Sequence, residues 1–386
     1  MHIAYITETY PPEVNGVALT AERCVRHLRH NGHAVLLMRP RQAGEPARDT
    51  HTEWRTAGAR IPMYPDLRMG LASAATLRHR FETFEPDIVH VATQGPLGRA
   101  AVHAAGELGV PVTTDFRTNF HVYCAHYGLG FASRLVVRYL RGFHNRSALT
   151  FVPCRRMVDE LGALGFERVE ALGRGVDARR FAPHQRSPEL RQRWGAPDGV
   201  PVLLYVGRLA PEKNVPLALQ AFAAVRRLHP RAQMVVVGDG PWRARLQAQY
   251  PMVHFAGVQR GDALATHYAS ADLFLFPSLS ETFGNVTLEA LASSLGVVAF
   301  DCAAAGELIR DGQNGFLAAP GDAAGFVAAA CRALSSPIEL DAVRQRARRT
   351  ALRADWEPVL HTFEQRLRGV AFASEGLGSV GMRSLA

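Results

Sequence analysis

The sequence predicts an α/β chain of two doubly wound domains, and three observations carry that prediction. Short apolar runs alternate with amphipathic stretches from the first residues to beyond residue 300, as the βα units of a parallel sheet do. The 386 residues exceed what one core of about 100–200 residues accommodates, so two domains are expected. The 47% hydrophobic content is enough to fill both. Composition also narrows function. A net charge of +9 favours an anionic partner, whether a nucleotide, an acidic lipid surface or nucleic acid. The basic residues are spread along the chain with no aromatic-interleaved RNA motif and no zinc-finger spacing, which makes nucleic acid the weakest of the three. Cys24, Cys124, Cys154, Cys302 and Cys331 are odd in number, scattered and without CxxC grouping, so reduced thiols in the cytosol are expected. Met1 leads directly into strand-like HIAYIT, and no apolar run approaches about 18 residues; neither a signal peptide nor a membrane span is expected, and the protein reads as soluble and cytoplasmic.

Taken in order, His2 to Thr7 reads as a buried strand, followed by the turn ETYPPEVNGVA and a helix from about Ala18 to His30 closed by Gly32. The turn lacks GxGxxG, so it is not a dinucleotide fingerprint. Asn15 and Gly16 stand where a first βα loop meets ligand, and spacing alone fits a structural turn equally. A second strand follows at His33 to Met38. Pro40 to Pro65, rich in Arg, Gly and Pro, reads as a long loop with at most one short strand, and Leu67 to Phe84 as a helix. PDIVHV, a helix over Arg99 to Leu108 and VPVTTDF continue the alternation.

Asp115 to Gly130, DFRTNFHVYCAHYGLG, bunches His, Tyr and Phe after a buried strand, which suggests the wall of a ligand cleft. His121, Cys124 and His126 have no second cluster to complete a metal site, and aromatic packing is the better reading. Ser133 to Arg146 is helical with Arg134, Arg138 and Arg141 on one face: a solvated basic face, or a membrane-surface helix. ALTFVPC, a helix from Arg155 and VEALGRGVD close the first domain; 179–200 reads as a linker region.

VPVLLYVG opens the second domain and turns into RLAPEKNVPLALQAF. Arg208 and Lys213, five residues apart in a loop at the carboxyl edge of a sheet, can converge on one diphosphate, the guanidinium gripping two oxygens and the ammonium acting as a point charge. GDGPWR is only a partial GxGxxG. In LFLFPSLSETFGNVTLEALASSLG, an apolar strand breaks at Pro277 and a helix begins near Asn285. Glu281 sits in the turn, and Glu289, a turn into the helix, leans back toward the same opening. The backbone N–H groups at Gly284 and Asn285 begin the helix unpaired at the positive end of its dipole, which favours phosphate. Backbone donors for an anion beside carboxylates for hydroxyls fit a phosphorylated sugar; a solvated Glu281 and a Glu289 serving its own helix are the plain alternative.

The Glu281–Glu289 spacing with TFG between them, together with GRLxxEKN, resembles the retaining GT-B glycosyltransferases of family 4, and the resemblance covers nearly the whole chain. It implies a GT-B fold, with two doubly wound Rossmann-like domains facing a central cleft: 1–178 binding the acceptor, with a C-terminal helix 355–369 packing back on it, 201–354 binding the nucleotide sugar, and a disordered tail over 373–386. It implies that Glu281 contacts the donor sugar, Glu289 the ribose, Phe283, Gly284 and Asn285 the sugar and phosphates through backbone, Gly257 and Val258 the nucleobase, and Gly16 the donor phosphates. Relatives often read HTNF where this chain has Arg117, Thr118, Asn119 and Phe120; Arg117 can hold an anion but cannot act as a base, and His121 stands four residues on. The implied activity is a metal-independent transfer of a hexose, with retention, from GDP-mannose or a UDP-hexose to a lipid or glycan acceptor. Arg208 and Lys213 take the place of a cation, no cofactor is expected, and the partners are the donor, the acceptor and an anionic inner membrane face. A silent nucleotide-sugar-binding protein and a UDP-sugar epimerase are the alternatives.

Overall fold

The computed structural model describes residues 1–13, 15–42, 44–45, 49–61, 64–117, 130–279, 281 and 283–373. The chain divides into two compact units: Met1–Gly173 with the chain from Pro358 onward, and Arg174–Glu357.

The first unit is built on β1 (His2–Ile6), β2 (Ala34–Pro40), β3 (Glu53–Ile61), β4 (Tyr64–Leu71), β5 (Ile88–Val91), β6 (Val112–Asp115), β7 (Leu149–Val152) and β8 (Val169–Ala171). They pair in the order β4-β3-β2-β1-β5-β6-β7-β8, parallel throughout except for the antiparallel β3–β4 pair. Ile3 of β1 lies between Val35 and Ile88, and all three are buried, as a central strand covered on both faces requires. Helices Gly16–His30, Ala74–Phe84, Pro96–Glu107, Gly130–His144 and Arg155–Ala163 form the crossovers. Asn15 caps the first of them, its Oδ1 accepting from Val17 N at 3.0 Å and Ala18 N at 2.8 Å.

The β3–β4 hairpin overturns the expectation of a loop over Pro40–Pro65, and the helix expected from Leu67 starts only at Ala74. The strands escape a periodicity reading because charge pairing supports them: Arg39 on β2 donates to Glu53 on β3 at 2.7 Å, and Arg55 meets the other Glu53 oxygen at 2.9 Å. β4 ends the sheet, where a strand tolerates the proline at position 65.

The second unit pairs β9 (Val202–Val206), β10 (Gln233–Val237), β11 (His254–Gly257), β12 (Leu273–Phe276), β13 (Gly296–Phe300) and β14 (Phe316–Ala318) in the order β11-β10-β9-β12-β13-β14, all parallel. This is the doubly wound order in which the chain leaves the first strand to one side and returns on the other. β9, β12 and β13 are buried along their whole length, and at about 1.5–3 kcal/mol per buried large apolar side chain they anchor the unit. Leu190 and Trp194, from and just after the helix Pro188–Arg193, join this core.

Candidate active site

In a doubly wound sheet the strands on either side of the order reversal end in a crevice, and here those strands are β9 and β12. Each sends a predicted loop into it. After β9 comes Gly207–Arg208, then the short turn Pro211–Lys213 that leads into the helix Val215–Leu228; after β12 come Pro277, Ser278 and Glu281, then the helix Asn285–Ala292.

Lys213 Nζ meets Glu281 Oε1, and the same oxygen accepts from Ser278 Oγ at 3.0 Å. Both side chains of the ion pair are largely buried, 14% and 16% exposed, so the pair is held in place by its surroundings as well as by its own attraction. Arg208 points its guanidinium at Glu212, Nε to Oε1 at 3.1 Å with the terminal Nη2 on the same oxygen. The Glu212 side chain is 1% exposed whereas that of Arg208 is 37% exposed, so the carboxylate is fixed and it aims the arginine outward. Sequence reasoning gave Glu212 no role, although it stands only four residues after Arg208, in the short turn Pro211–Lys213, close enough in sequence for the two to meet.

Gly284 is the N-terminal cap of the Asn285–Ala292 helix with φ of +89° and no side-chain cap, a backbone turn that glycine adopts without strain. Gly284 itself offers no side chain to the first N–H groups of this helix, and of these the Thr287 N–H turns back to the Gly284 carbonyl at 3.0 Å. Phe283 is buried and its carbonyl accepts from Ala304 N at 2.8 Å, while Asn285 Oδ1 takes a long 3.4 Å bond from Arg174. Glu289 accepts from the buried Tyr268 hydroxyl at 2.9 Å. Burial pushes its carboxyl up to about 7 against that hydrogen bond.

Gly257 ends β11 with φ of +69°, its carbonyl accepting from Gly238 N at 2.8 Å, and the next residue, Val258, is exposed. The glycines of GDG have a clear purpose. A Cβ on Gly238 would sit 2.0 Å from the Gly207 carbonyl oxygen, and one on Gly240 would sit 2.5 Å from that of Leu209. They let the β9 and β10 loops join backbone to backbone, through Leu209 N to Asp239 O at 2.8 Å and Trp242 N to Leu209 O at 3.0 Å.

Thus Arg208, Lys213, Glu281, Phe283, Gly284, Asn285, Glu289, Gly257 and Val258 all belong to the second unit, Gly257 at the end of β11, Glu289 within the Asn285–Ala292 helix and the others on the loops and helix starts that follow strands. Gly16 and Arg117 belong to the first. Gly16 opens the Gly16–His30 helix, and its carbonyl accepts from Thr20 Oγ1 at 2.7 Å. Arg117 is 8% exposed and ion-paired through Nε with Asp115, which also lies 3.4 Å from His90 Nε2. Burial alone would raise the Asp115 carboxyl, but Arg117 and then His90 outweigh it and hold it at about 2. His121, Thr118, Asn119, Phe120, Cys124 and His126 lie outside the described residues. Among the described residues, no group of three or more His, Cys, Asp or Glu is placed to hold a metal ion, and no helix is long and apolar enough to cross a membrane.

Comparison with known proteins adds lineage to this geometry. Residues 14–180 match Glycosyltransferase Family 4 and residues 200–336 match Glycosyl transferases group 1. The chain is 37% identical to the GDP-mannose-dependent alpha-mannosyltransferase of Mycolicibacterium smegmatis, over 93% of this chain and 95% of that one. It is 29% identical to the alpha-monoglucosyldiacylglycerol synthase of Streptococcus pneumoniae, over 82% and 75%. The solved sucrose-phosphate synthase of Thermosynechococcus elongatus superposes with a TM-score of 0.77, covering 96% of this chain and 99% of that one; at 17% identity this likeness speaks to the fold. Both halves of the sequence and nearly the full length of a relative thus lead to one conclusion, that the chain belongs to the family 4 (group 1) glycosyltransferases and is a hexosyltransferase of the GT-B fold class.

Proposed function

We propose that the chain moves mannose from GDP-mannose, with retention of anomeric configuration, to a glycan or glycolipid acceptor. The observation that carries this reading is the meeting of Lys213 with Glu281 at the β9/β12 crevice, beside the uncapped start of the Asn285–Ala292 helix. A cation for a diphosphate and a carboxylate for sugar hydroxyls are there held a contact apart. In the transfer, the bond from the anomeric carbon to the diphosphate oxygen breaks, and the diphosphate leaves with the electron pair. The acceptor oxygen bonds to that carbon and passes its proton to the departing diphosphate oxygen. Arg208 and Lys213 stabilise the charge growing on the diphosphate, Glu281 and the backbone from Phe283 to Asn285 orient the sugar, and Glu289 takes the ribose. The donor assignment is supported by the named mannosyltransferase relative, and the lipid-linked acceptor by the diacylglycerol synthase relative. An anionic membrane surface, met by the Gly130–His144 helix, belongs to the same reading.

Thermal shift with GDP, UDP and ADP tests it. A nucleotide at about a hundred times its dissociation constant stabilises by roughly 2.7 kcal/mol. GDP is expected to raise the melting temperature of the wild type, to do so much less in Lys213→Ala, and GDP-mannose to label an acceptor. A response to UDP alone overturns the donor, and no response to any nucleotide overturns the site.

A further inference from the structure

The first unit has a switch point of its own, between β1 and β5, because the chain runs from β1 outward to β4 on one side and then returns to β5 on the other. The loop after β1 carries Glu8 and the loop after β5 carries Thr93, Gln94 and Gly95, and the two are stitched together. Glu8 N donates to Thr93 Oγ1 at 2.8 Å, and Glu8 Oε1 accepts from Leu97 N, in the first turn of the Pro96–Glu107 helix, at 2.8 Å. Gly95 makes this approach feasible: a Cβ there would fall 1.8 Å from Glu8 Oε2.

Two features exceed what a helix cap needs. A carboxylate offers about four acceptor positions, and among the described residues the Leu97 N–H engages one. Burial lifts the Glu8 carboxyl to about 7 in spite of the Leu97 N–H that favours its charged form, a penalty that a merely structural cap has no need to carry. Beside it, Gln94 is 7% exposed, and its Nε2 is buried with no hydrogen-bond partner among the described residues, while its backbone carbonyl accepts from Tyr139 Oη at 2.9 Å. An unpaired buried amide costs about 1–3 kcal/mol, and folded proteins rarely leave one unless something else completes it.

We propose that Glu8 and Gln94 are specificity-determining residues for the acceptor, taking neighbouring hydroxyls of its sugar at the β1/β5 crevice. Glu8 accepts from one hydroxyl, and Gln94 Nε2 donates to the oxygen of the next. A vicinal diol supplies that combination of donor and acceptor, whereas an acyl chain supplies neither. The inference rests on the transferase reading and extends it to this site.

The test uses the whole chain with GDP-mannose as donor and methyl α-D-mannopyranoside and methyl α-D-glucopyranoside as acceptor probes. Glu8→Gln keeps an oxygen for Leu97 N–H, and Gln94→Ala removes the unpaired amide; melting curves check that both variants fold. The expected result is an acceptor KM at least tenfold higher in each, with donor KM and the slow acceptor-free hydrolysis of donor unchanged. Unchanged acceptor KM in both variants overturns the inference and leaves Glu8 as a helix cap. A wild type that hydrolyses donor but transfers to neither glycoside also overturns it. A wild type that neither binds nor hydrolyses donor sinks the transferase reading itself, which the donor-only measurements reveal separately.

Discussion

Glu212 shows how a single buried carboxylate sets the direction of a working side chain. It is closed off from solvent while its partner Arg208 reaches outward, so the ion pair is a mount for the arginine more than a source of stability. Hydrogen bonds to charged groups are worth about 1.5–3 kcal/mol, so Glu212→Ala is expected to lower kcat/KM for the nucleotide sugar roughly ten- to a hundredfold by letting Arg208 swing. Steady-state kinetics checks this, and an unchanged kcat/KM would remove the positioning role. At this scale the sequence was informative wherever spacing encodes proximity. Glu281 and Glu289 lie on one strand–turn–helix unit, and Arg208 and Lys213 on one loop, so local geometry was enough to group them. Glu8 and Gln94 were not legible, because 86 positions and four strands separate two loops that only the sheet order brings together.

Among the elements, the Gly130–His144 helix divides sharply between its two faces. Leu140, Phe143 and His144 are buried, whereas Arg134, Leu135 and Arg138 are exposed, Leu135 to 67%. The inner face explains why the helix packs; the outer one combines charge with an apolar side chain, as a helix lying on anionic lipid does. Each arginine near such a surface contributes about 1 kcal/mol, so the double change Arg134→Gln with Arg138→Gln is expected to weaken binding to phosphatidylserine vesicles roughly thirtyfold at low salt. Vesicle co-sedimentation measures this, and a wild type that stays in the supernatant rejects the docking role. Buried strands such as Leu273–Phe276 were readable because an unbroken apolar run between turn residues has few other readings. The β3–β4 hairpin was not, since ion pairs such as Arg39–Glu53 do what apolar alternation does elsewhere. The alanine-rich helix Ala323–Ala333 likewise follows a sheet-edge strand without a motif to announce it.

Over the whole molecule, the Trp356–Ala371 helix does the tying. It begins in the second unit and from Pro358 onward belongs to the first, where Glu364 accepts from His27 Nε2 and His33 Nε2 at 3.0 Å each and from Asn31 Nδ2 at 2.6 Å. Burial alone would raise this carboxyl, but the hydrogen bonds from His33, Asn31 and His27 outweigh it and hold it at about 2, against an ordinary 4.5. A depressed folded-state value means stability that is present above pH 4.5 and lost as pH falls toward 2. The melting temperature of the wild type is therefore expected to drop more steeply across that window than that of Glu364→Gln; parallel curves would show that the carboxylate contributes nothing to holding the helix. The two-domain α/β plan was legible from alternation and length, because both report on strands and crossovers that are continuous in sequence. The His27–Asn31–Glu364 junction was not, since its parts lie at opposite ends of the chain. That junction also dictates an order of events at the ribosome. The first unit emerges early but cannot receive Glu364 until the entire second unit has been translated, roughly 10–40 s later at ordinary elongation rates, so during that interval the nascent sheet exposes the flank that this helix will cover, and chaperones have their longest opportunity there.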